Sequence, residues 1–567
     1  MKKTLLALVA LAAAIAVAPM AGAAVDRKGP PAAKTAEIQI LGLNDFHGAL
    51  EPPSGSGGRI GSTNAGGVEY LATHVRALRA ENPNTLFVSA GDLIGATPLI
   101  SALFHDEPSI EAFNLMDLDY NGVGNHEFDE GVDELLRMQN GGCHPVDGCV
   151  DGDPFNGATF DFLAANVKYK DTGETIFPPY DIHEFANGVK VGIIGMTLEG
   201  TPNIVTPAGI QSVNFLDEAD TVNALVPVLQ KQGVKTIIVL LHEGGSVDAD
   251  RNGAGIGGET AMNDCANPTG ALPPIVERMD DAIDVVVTGH TNWAVNCVID
   301  GKVVTGAASS GRLVTDIDLT INLASQNVIP SLTRVNNKIV TRDVAKAPDL
   351  TALVDKYAAL VAPLANRVVG QASADLLRAN NDAGESSLGD VIADAQHAAT
   401  KDPLFGGAVV AFMNPGGIRG DIAAGDVTYG ELFTVQPFSN VMTVLTCTGA
   451  QIDQLLEEQF QHAETGAARQ TVLQVSDGFT YTWDASAPLG DKVDIASIQI
   501  DGTPISALAS YRVAMNNFLA TGGDVFPTFT ACTDSLGGEI DLDALVRYFE
   551  TSSPIGPGPQ NRITLVP

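Results

Sequence analysis

Between residues 37 and about 340, short apolar runs alternate with segments whose apolar residues recur every three or four positions. The runs that predict strands are EIQILGL, TLFVSA, VKVGIIGM, KTIIVLL and DVVVTG. Between them, YLATHVRALRAEN and ADTVNALVPVLQKQG have the spacing of amphipathic helices. Strands that alternate with helices in this way predict an α/β architecture.

The pattern changes after residue 340, which indicates a second domain. Residues 347–370, APDLTALVDKYAALVAPLANRVVG, predict a linker helix. Beyond it, the helical patterns SLGDVIADAQHAAT and GAQIDQLLEEQF stand among short apolar runs, which predicts an α+β region. The chain has 567 residues, and single hydrophobic cores stop growing at about 250–300 residues. We therefore expect a first domain at 37–340, a linker at 341–372 and a second domain at 373–567.

The longest apolar run lies at the N-terminus, in MKKTLLALVALAAAIAVAPMAGAA. Two lysines, an apolar stretch and an Ala-x-Ala ending are typical of a secretory signal peptide, here residues 1–24. A membrane anchor is the alternative, but the small residues and the Pro-containing DRKGPPAAK that follows favour cleavage. No second run of about 20 apolar residues follows, so we expect no transmembrane anchor and a secreted, periplasmic or cell-envelope location.

The cysteines of an exported chain are expected to pair. We favour pairing between sequence neighbours, because each bond then stays inside one predicted domain. The predicted pairs are Cys143 with Cys149, Cys265 with Cys297, and Cys447 with Cys532. Zinc binding is the alternative, but a Cys-x5-Cys spacing alone is a weak zinc pattern.

The formal net charge is −36, from 32 basic and 68 acidic residues. This balance disfavours a nucleic-acid polymer as partner, because phosphate backbones are bound by Lys and Arg. If the substrate is an anion, positive charge has to be supplied locally by metal ions or by a few arginines.

Four of the predicted strands, and the run LDYNGVG, are each followed by side chains that are able to bind metal ions. They are Asp45 and His47 in NDFHG, Asp92 in GDLIG, Asn125 and His126 in GNHEF, His242 in HEGG, and His290 and Asn292 in GHTN. Any one of these motifs alone is more often an ordinary loop. Their repetition at strand ends is specific, because sites in α/β sheets form beyond the carboxyl ends of the strands.

The mixture of His, Asp and Asn favours Zn, Mn, Co or Fe over Mg, which prefers oxygen ligands. The candidates outnumber the ligands of one tetrahedral ion. Two divalent ions about 3.5–4 Å apart, bridged by a carboxylate, would use them.

These motifs resemble a known family. LNDFHG, SAGDLIGATPLI, GVGNHEFDEG, LLHEGG and VTGHTN are similar to the five blocks of the calcineurin-like metallophosphatase fold, and in detail to secreted 5′-nucleotidases, a family that includes UDP-sugar hydrolases. MNPGGIRGDI, VQPFSNVMTVLTCTGAQI and NNFLATGGDVFP resemble the family's C-terminal domain. The resemblance implies a four-layer α/β sandwich joined by a linker helix to an α+β nucleotide-binding domain.

The resemblance also implies roles for individual residues. Asp45, His47, Asp92 and Asn292 would hold one ion, and Asp92, Asn125, His242 and His290 the second, with Asp92 bridging. The family varies at the position of Asn292. His126 would stay unligated and stabilise charge on the phosphate, with Asp129 one helical turn away as its carboxylate partner. We expect Glu127 and Glu130 to be solvated or to complement a helix N-terminus.

In the second domain, the resemblance implies that Phe438 and Phe518 sandwich a nucleobase, although core packing is the usual fate of Phe. Arg378, Asn414, Arg419 and Asp524 match further substrate-binding positions.

The expected function is hydrolysis of nucleoside 5′-monophosphates by a metal-activated water, with UDP-sugars and nucleoside di- or triphosphates as further substrates. The alternatives are a 2′,3′-cyclic-nucleotide phosphodiesterase with 3′-nucleotidase activity, more distantly a thiosulfohydrolase, and a non-catalytic nucleotide-binding surface protein. The oligomeric state stays open.

Overall fold

The structure is a computed structural model that describes residues 34–53, 55–205, 207–247, 261–438, 440–461 and 468–566. The predicted signal peptide lies outside these residues. Within the described ranges, no helix combines the length and the apolar character that crossing a lipid bilayer requires.

Two six-stranded sheets form the centre of the N-terminal half. In spatial order, the strands of the first sheet are Arg334–Ile339, Leu313–Asn322, Thr35–Leu43, Thr85–Ser89, Tyr120–Gly122 and Asp161–Leu163. Those of the second are Ala294–Ile299, Lys302–Ala307, Val285–Thr288, Thr236–His242, Lys190–Thr197 and Tyr180–Glu184. All five strands predicted from apolar runs are present, and their mutual pairings are parallel.

The two sheets pack face to face, since Ile40 and Val88 of the first share a buried cluster with Ile238 and Val287 of the second. Helices cover both outer faces and make four layers. On the first sheet they are Val68–Arg79, Leu99–Ala102, Glu107–Leu115 and Val132–Asn140; on the second, Glu218–Lys231 and Leu272–Arg278. The predicted four-layer sandwich is confirmed.

The C-terminal half is a mixed α+β region, as predicted. Its five-stranded sheet has the order Gln474–Val475, Val410–Met413, Ser510–Asn516, Val441–Thr448 and Thr533–Ile540. A four-stranded sheet has the order Thr503–Pro504, Gln499–Ile500, Phe479–Asp484 and Ile563–Val566. The helices are Ser387–Thr400, Tyr429–Val435, Gly449–Glu458, Asn517–Ala520 and Asp541–Ser552.

The linker helix is shorter than its sequence predicts. It spans Pro348–Ala365 rather than reaching residue 370. Residues Val368–Ala372 form a strand that pairs with Gly425–Thr428 of the C-terminal half. The apolar "VVG" ends the helical pattern because β-branched side chains suit a pleated strand better than a helix terminus.

All three predicted disulfides are present in the structure: Cys143–Cys149, Cys265–Cys297 and Cys447–Cys532. Each bond closes a loop within one half of the molecule. They leave no free cysteine in the part of the chain that the structure describes.

Candidate active site

The carboxyl ends of five parallel strands meet at one edge of the sandwich. Asp45, Asp92 and Asn125 follow strands of the first sheet, whereas His242 ends a strand of the second sheet and His290 follows another. The face-to-face packing of the sheets brings these residues together although they are distant in sequence. The predicted convergence of strand-end side chains is therefore seen in the fold.

Asp92 lies at the centre of the cluster. Its Oδ2 atom is 3.1 Å from Nε2 of His242 and 3.7 Å from Nε2 of His47. The Oδ1 atom of Asn125 is 3.1 Å from Nε2 of His242 and 2.9 Å from Nδ1 of His290. Asp92 thus lies close both to His47 and to His242, which itself contacts Asn125. A bridging carboxylate has to occupy such a position.

The backbone around these side chains is strained. Positive φ angles occur at five of the seven proposed ligands, Asp45, His47, Asp92, His290 and Asn292. Non-glycine residues seldom adopt this region, and such strain concentrates at functional sites. Glycines provide the close packing, since a Cβ atom at Gly124 would lie 2.2 Å from Oδ1 of Asp92.

The histidines differ in charge. Burial lowers the pKa of His47 and of His290 to about 3, so both are neutral at pH 7, the form that coordinates a metal. Burial also opposes charge on His242, but the adjacent Asp92 raises its pKa to about 10. Burial raises the pKa of Asp45 to about 7.

One oxygen of Asp45 is left without a partner. Its Oδ2 atom accepts a 2.5 Å hydrogen bond from the amide of Asn44, whereas Oδ1 is buried and has no hydrogen-bond partner among the described residues. A buried carboxylate oxygen without a donor is costly unless a cation compensates it. Together with two neutral imidazoles, it forms a donor set that fits divalent metal ions.

His126 and Asp129 form the predicted pair. Nδ1 of His126 lies 2.8 Å from Oδ2 of Asp129, across a single turn that starts in the 3₁₀ segment His126–Phe128. Burial acts to lower the pKa of His126, but the carboxylates of Asp129 and Asp92 raise it above its usual value. The backbone N–H of His126 also donates to Oδ1 of Asp92 at 3.0 Å, which ties the backbone of His126 to the cluster around Asp92.

The expectation that Glu127 is solvated is wrong. Its side chain is buried, with 3% of the residue exposed. Its carboxylate accepts hydrogen bonds from the backbone N–H groups of Asp92, Leu93 and Gly124 at 2.7–2.9 Å. Nothing in the sequence around Glu127 points to this role, since a carboxylate that bonds to the backbone of a distant segment leaves no local pattern. Glu127 fixes the loop that presents Asp92.

Glu130, in contrast, is partly exposed and contacts His105. Asn44 is a second residue that the sequence did not single out. Its amide bonds to Asp45 and to the carbonyl of Ala308, and its oxygen accepts from the N–H of Ala307. It locks the Asp45 side chain against the neighbouring segment.

A cavity of about 970 Å³ lies between the two halves of the molecule. It is lined by His126 and His290 from the N-terminal half and by the aromatic rings of Phe438 and Phe518 from the C-terminal half. The ring of Phe438 stacks at 5.9 Å from that of His126, with 18° between the planes. The two predicted aromatic residues therefore face the same space as the histidines.

Polar side chains complete the far wall of the cavity. Asn414 donates to Oδ2 of Asp524 at 2.7 Å, and its own oxygen accepts from Asn516, another residue not singled out by the sequence. The guanidinium carbon of Arg419 lies 5.8 Å from the centre of the Phe438 ring. All of these residues line the cavity.

Two predicted site residues are exposed, and neither lines the cavity. Arg378 is exposed, and its guanidinium donates to the carbonyl of Arg419 at 3.3 Å. Asn292 is exposed as well, and its amide donates to the carbonyl of His290 at 3.2 Å. Among the described residues, the hydrogen bonds of Asn292 do not join it to Asp45 or His47, so its role as a ligand stays a prediction.

Comparisons with known proteins match both halves of the chain. A family model described as calcineurin-like phosphoesterase matches residues 38–293, and one described as 5′-nucleotidase, C-terminal domain, matches residues 368–531. The solved structure of a 5′-nucleotidase precursor from Thermus thermophilus is similar with a TM-score of 0.75 and 25% identity, over 94% of this chain and 99% of that one.

Curated relatives are similar over almost as much of this chain. Endonuclease YhcR of Bacillus subtilis is 35% identical over 93% of this chain, which spans 41% of that longer relative. Cell wall protein Lmo0130 of Listeria monocytogenes is 31% identical, over 93% of this chain and 68% of the relative. With both domain models matched in order and the strand-end cluster in place, the chain belongs to the 5′-nucleotidase family of metal-dependent phosphoesterases.

Proposed function

We propose that the protein is a secreted hydrolase that uses two divalent ions to release phosphate from nucleoside 5′-monophosphates. One observation carries this proposal: Phe438 and Phe518 line the same cavity as Asn125 and His290, so the proposed base-binding aromatics and two of the proposed metal ligands face one space. UDP-sugars and nucleoside di- or triphosphates are proposed as further substrates, since the cavity of about 970 Å³ is large enough for them.

The proposed metal ligands form two sets that share Asp92. Asp45, His47 and Asp92, with Asn292, would hold one ion; Asp92, Asn125, His242 and His290 would hold the other. The unpartnered Oδ1 of Asp45 and the neutral imidazoles of His47 and His290 support this assignment. Bound divalent ions would supply charge neutralisation at the phosphoryl group and activation of water as a nucleophile.

The chain's own residues have separate tasks. His126, kept cationic by Asp129 at 2.8 Å, donates a hydrogen bond to the phosphoryl oxygen on which negative charge develops. Arg419 supplies a second positive group at the same cavity, which an anionic substrate requires on a molecule of net charge −36.

The base is proposed to stack between Phe438 and Phe518. A stacked base gains about 1–3 kcal/mol per aromatic contact with little dependence on its identity. Asp524, held by Asn414 at 2.7 Å, is placed to accept hydrogen bonds from ribose hydroxyls. We therefore expect the protein to accept nucleotides with different bases but to prefer substrates that carry a nucleoside.

A longer relative is named as an endonuclease, and this name suggests a polymeric substrate. The net charge of −36 disfavours that substrate for this chain.

The proposed export of the protein is supported by the three disulfides, since disulfides persist in oxidising compartments.

Product analysis distinguishes these activities. The full-length protein, loaded with Mn²⁺ or Zn²⁺, is incubated separately with AMP, UDP-glucose, 2′,3′-cyclic AMP and a single-stranded oligonucleotide. We expect adenosine and phosphate from AMP at the highest kcat/KM. Faster opening of the cyclic phosphate or cleavage of the oligonucleotide would replace the proposal with the corresponding activity, and no turnover of any substrate would indicate a binding protein.

A further inference from the structure

Arg469 lies behind the far wall of the cavity, in the segment between the helix Gly449–Glu458 and the strand Gln474–Val475. Its side chain is half-buried, and within the described part of the chain the residues that line the cavity do not include it. Its Nη1 atom donates a 2.7 Å hydrogen bond to the backbone carbonyl of Asp524, the proposed acceptor for ribose hydroxyls. This contact joins Arg469 to the substrate-binding wall from the side that faces away from the substrate.

The loop that carries Asp524 has a conformation that needs support from outside. Gly522, Asp524 and Val525 have φ angles of 91°, 52° and 60°. Glycine adopts this region readily, but a β-branched residue such as valine seldom does, because its side chain crowds the backbone. Such a conformation persists only when surrounding contacts hold it in place. The position of Asp524 therefore depends on the contacts that neighbouring segments supply.

Contacts hold this loop from two sides. On the cavity side, the amide of Asn414 donates to Oδ2 of Asp524 at 2.7 Å. Gly523 packs so closely against the ring of Phe518 that a Cβ atom there would lie 2.6 Å from two ring carbons. On the opposite side, Arg469 bonds to the backbone carbonyl of Asp524. Asn414 thus fixes the carboxylate of Asp524, and Arg469 fixes its backbone.

The rest of the Arg469 guanidinium also faces this loop. Its carbon lies 4.8 Å from the centre of the buried ring of Phe526, two residues after Asp524. Nε and Nη2 of Arg469 are buried and have no hydrogen-bond partner among the described residues. An arginine that served stability alone would be expected to use these donors, since buried polar groups are nearly always hydrogen-bonded. The side chain leaves them unused while it holds the carbonyl of Asp524.

Arg469 also acts on the charge of Asp524. Burial raises the pKa of Asp524, whereas the hydrogen bond from Asn414 and the positive charge of Arg469 favour the ionised form. An ionised carboxylate only accepts hydrogen bonds, and its two oxygens suit the two hydroxyls of a ribose. Arg469 therefore supports both the position and the charge state that ribose binding requires.

We propose that Arg469 is a positioning residue for ribose recognition, which holds the backbone of Asp524 so that its carboxylate faces the 2′- and 3′-hydroxyls of a bound nucleoside. The inference rests on the proposed function, in which Asp524 binds the ribose. It adds a determinant of specificity that does not touch the substrate. Arg469 should matter for substrates that carry both hydroxyls and not for substrates that lack them.

Steady-state kinetics with two substrates test this role. The full-length protein, loaded with Mn²⁺ or Zn²⁺, is assayed with AMP and with 2′,3′-dideoxy-AMP, which lacks both hydroxyls. Arg469→Ala should raise KM for AMP roughly 10-fold, the scale of one lost hydrogen bond to a charged group, with kcat within about twofold. KM for 2′,3′-dideoxy-AMP should stay within about twofold, because it offers no hydroxyl to Asp524. An equal rise of KM for both substrates would show that Arg469 only maintains the fold and would overturn the proposal.

Further variants separate positioning from stability. Arg469→Lys keeps a donor for the carbonyl and should recover part of the affinity for AMP. Arg512→Ala is the matched control, since Arg512 donates to the backbone carbonyls of Gly406 and Asp534, also in the C-terminal half. It should leave the ratio of the two KM values unchanged, and a loss of the AMP preference in this variant as well would contradict a specific role of Arg469. In an Asp524→Ala background, Arg469→Ala should not change the ratio further.

Nucleoside binding separates this inference from the proposed hydrolysis. Calorimetry on the full-length protein without added metal measures Kd for adenosine and for 2′,3′-dideoxyadenosine. We expect the wild type to bind adenosine more tightly, and Arg469→Ala to bind both with Kd values within about twofold of each other. This result supports the role of Arg469 even if AMP is not hydrolysed. If the wild type hydrolyses AMP but Arg469→Ala keeps the preference for adenosine, the inference fails while the proposed function stands. Equal Kd values in the wild type would overturn the ribose contact and the role of Arg469 with it.

Discussion

The contact between His126 and Asp129 is the side-chain pair on which the proposed catalysis depends most. His126→Ala removes one transition-state donor and is expected to lower kcat by roughly 100-fold, with little change in KM. Asp129→Asn keeps the shape but weakens the cationic form of His126, so a smaller loss of roughly 10-fold is expected. Steady-state kinetics with AMP measure both effects.

Metal analysis of the same two variants is the control for this prediction. Both should retain the full complement of ions, since neither side chain is a proposed ligand. Near-normal kcat in His126→Ala with its ions bound would remove His126 from the mechanism.

Phe518 affects a different kinetic parameter. Its ring lies against the backbone of Gly523 at the cavity wall, and removing the ring takes away one stacking surface for the base. Phe518→Ala should raise KM for AMP roughly 5- to 150-fold, the equivalent of about 1–3 kcal/mol. For ribose 5-phosphate, which has no base and no aromatic ring, kcat/KM should not change. Equal losses with both substrates would show that Phe518 only maintains the fold.

Among the elements, the strand Val285–Thr288 begins beside a largely buried acid. Oδ2 of Asp284 accepts from the N–H of Ile237 at 3.0 Å, and burial raises the pKa of Asp284 to about 7. The unfolded chain therefore releases this proton between about pH 4 and pH 7, while the folded chain retains it. The free energy of unfolding that Asp284 contributes is present at low pH and is lost as the pH rises through 7.

Asp284→Asn removes this pH dependence and keeps an acceptor for Ile237. We expect the variant to gain stability relative to the wild type at pH 8 but not at pH 4, measured by urea unfolding at each pH. Asp281→Asn, at an exposed neighbouring position, is the control and should change little at either pH. An equal effect of Asp284→Asn at both pH values would contradict a raised pKa in the folded state.

The elements also show what the sequence is able to predict. Apolar runs mark the strands, and their ends mark Asp45, Asp92, Asn125, His242 and His290, because side chains after parallel strands share one edge. Partners in other segments leave no such local pattern. The sequence therefore missed the backbone contacts of Glu127, the contacts of Asn44 with the segment near Ala308, and the pairing of Val368–Ala372 that ends the linker helix.

For the molecule as a whole, the disulfides differ in the length of chain that they close. Cys447–Cys532 spans 85 positions and Cys143–Cys149 only 6. Loop-closure entropy assigns about 4.5 kcal/mol to the first and about 2 kcal/mol to the second. Replacing both Cys447 and Cys532 by Ala should therefore lower the free energy of unfolding more than replacing both Cys143 and Cys149. Equal losses for the two pairs would contradict an origin of this stabilisation in loop-closure entropy.

The proposed activity requires that ions held at the strand ends act on a nucleotide bound by the C-terminal half. The most direct test is the initial rate of phosphate release from AMP by the full-length protein before chelation, after EDTA and gel filtration, and after Mn²⁺ or Zn²⁺ is restored. The rate is expected to fall to background on chelation and to recover with the ions. A rate that survives metal removal, or no phosphate release with Zn, Mn, Co or Fe, would contradict the claim.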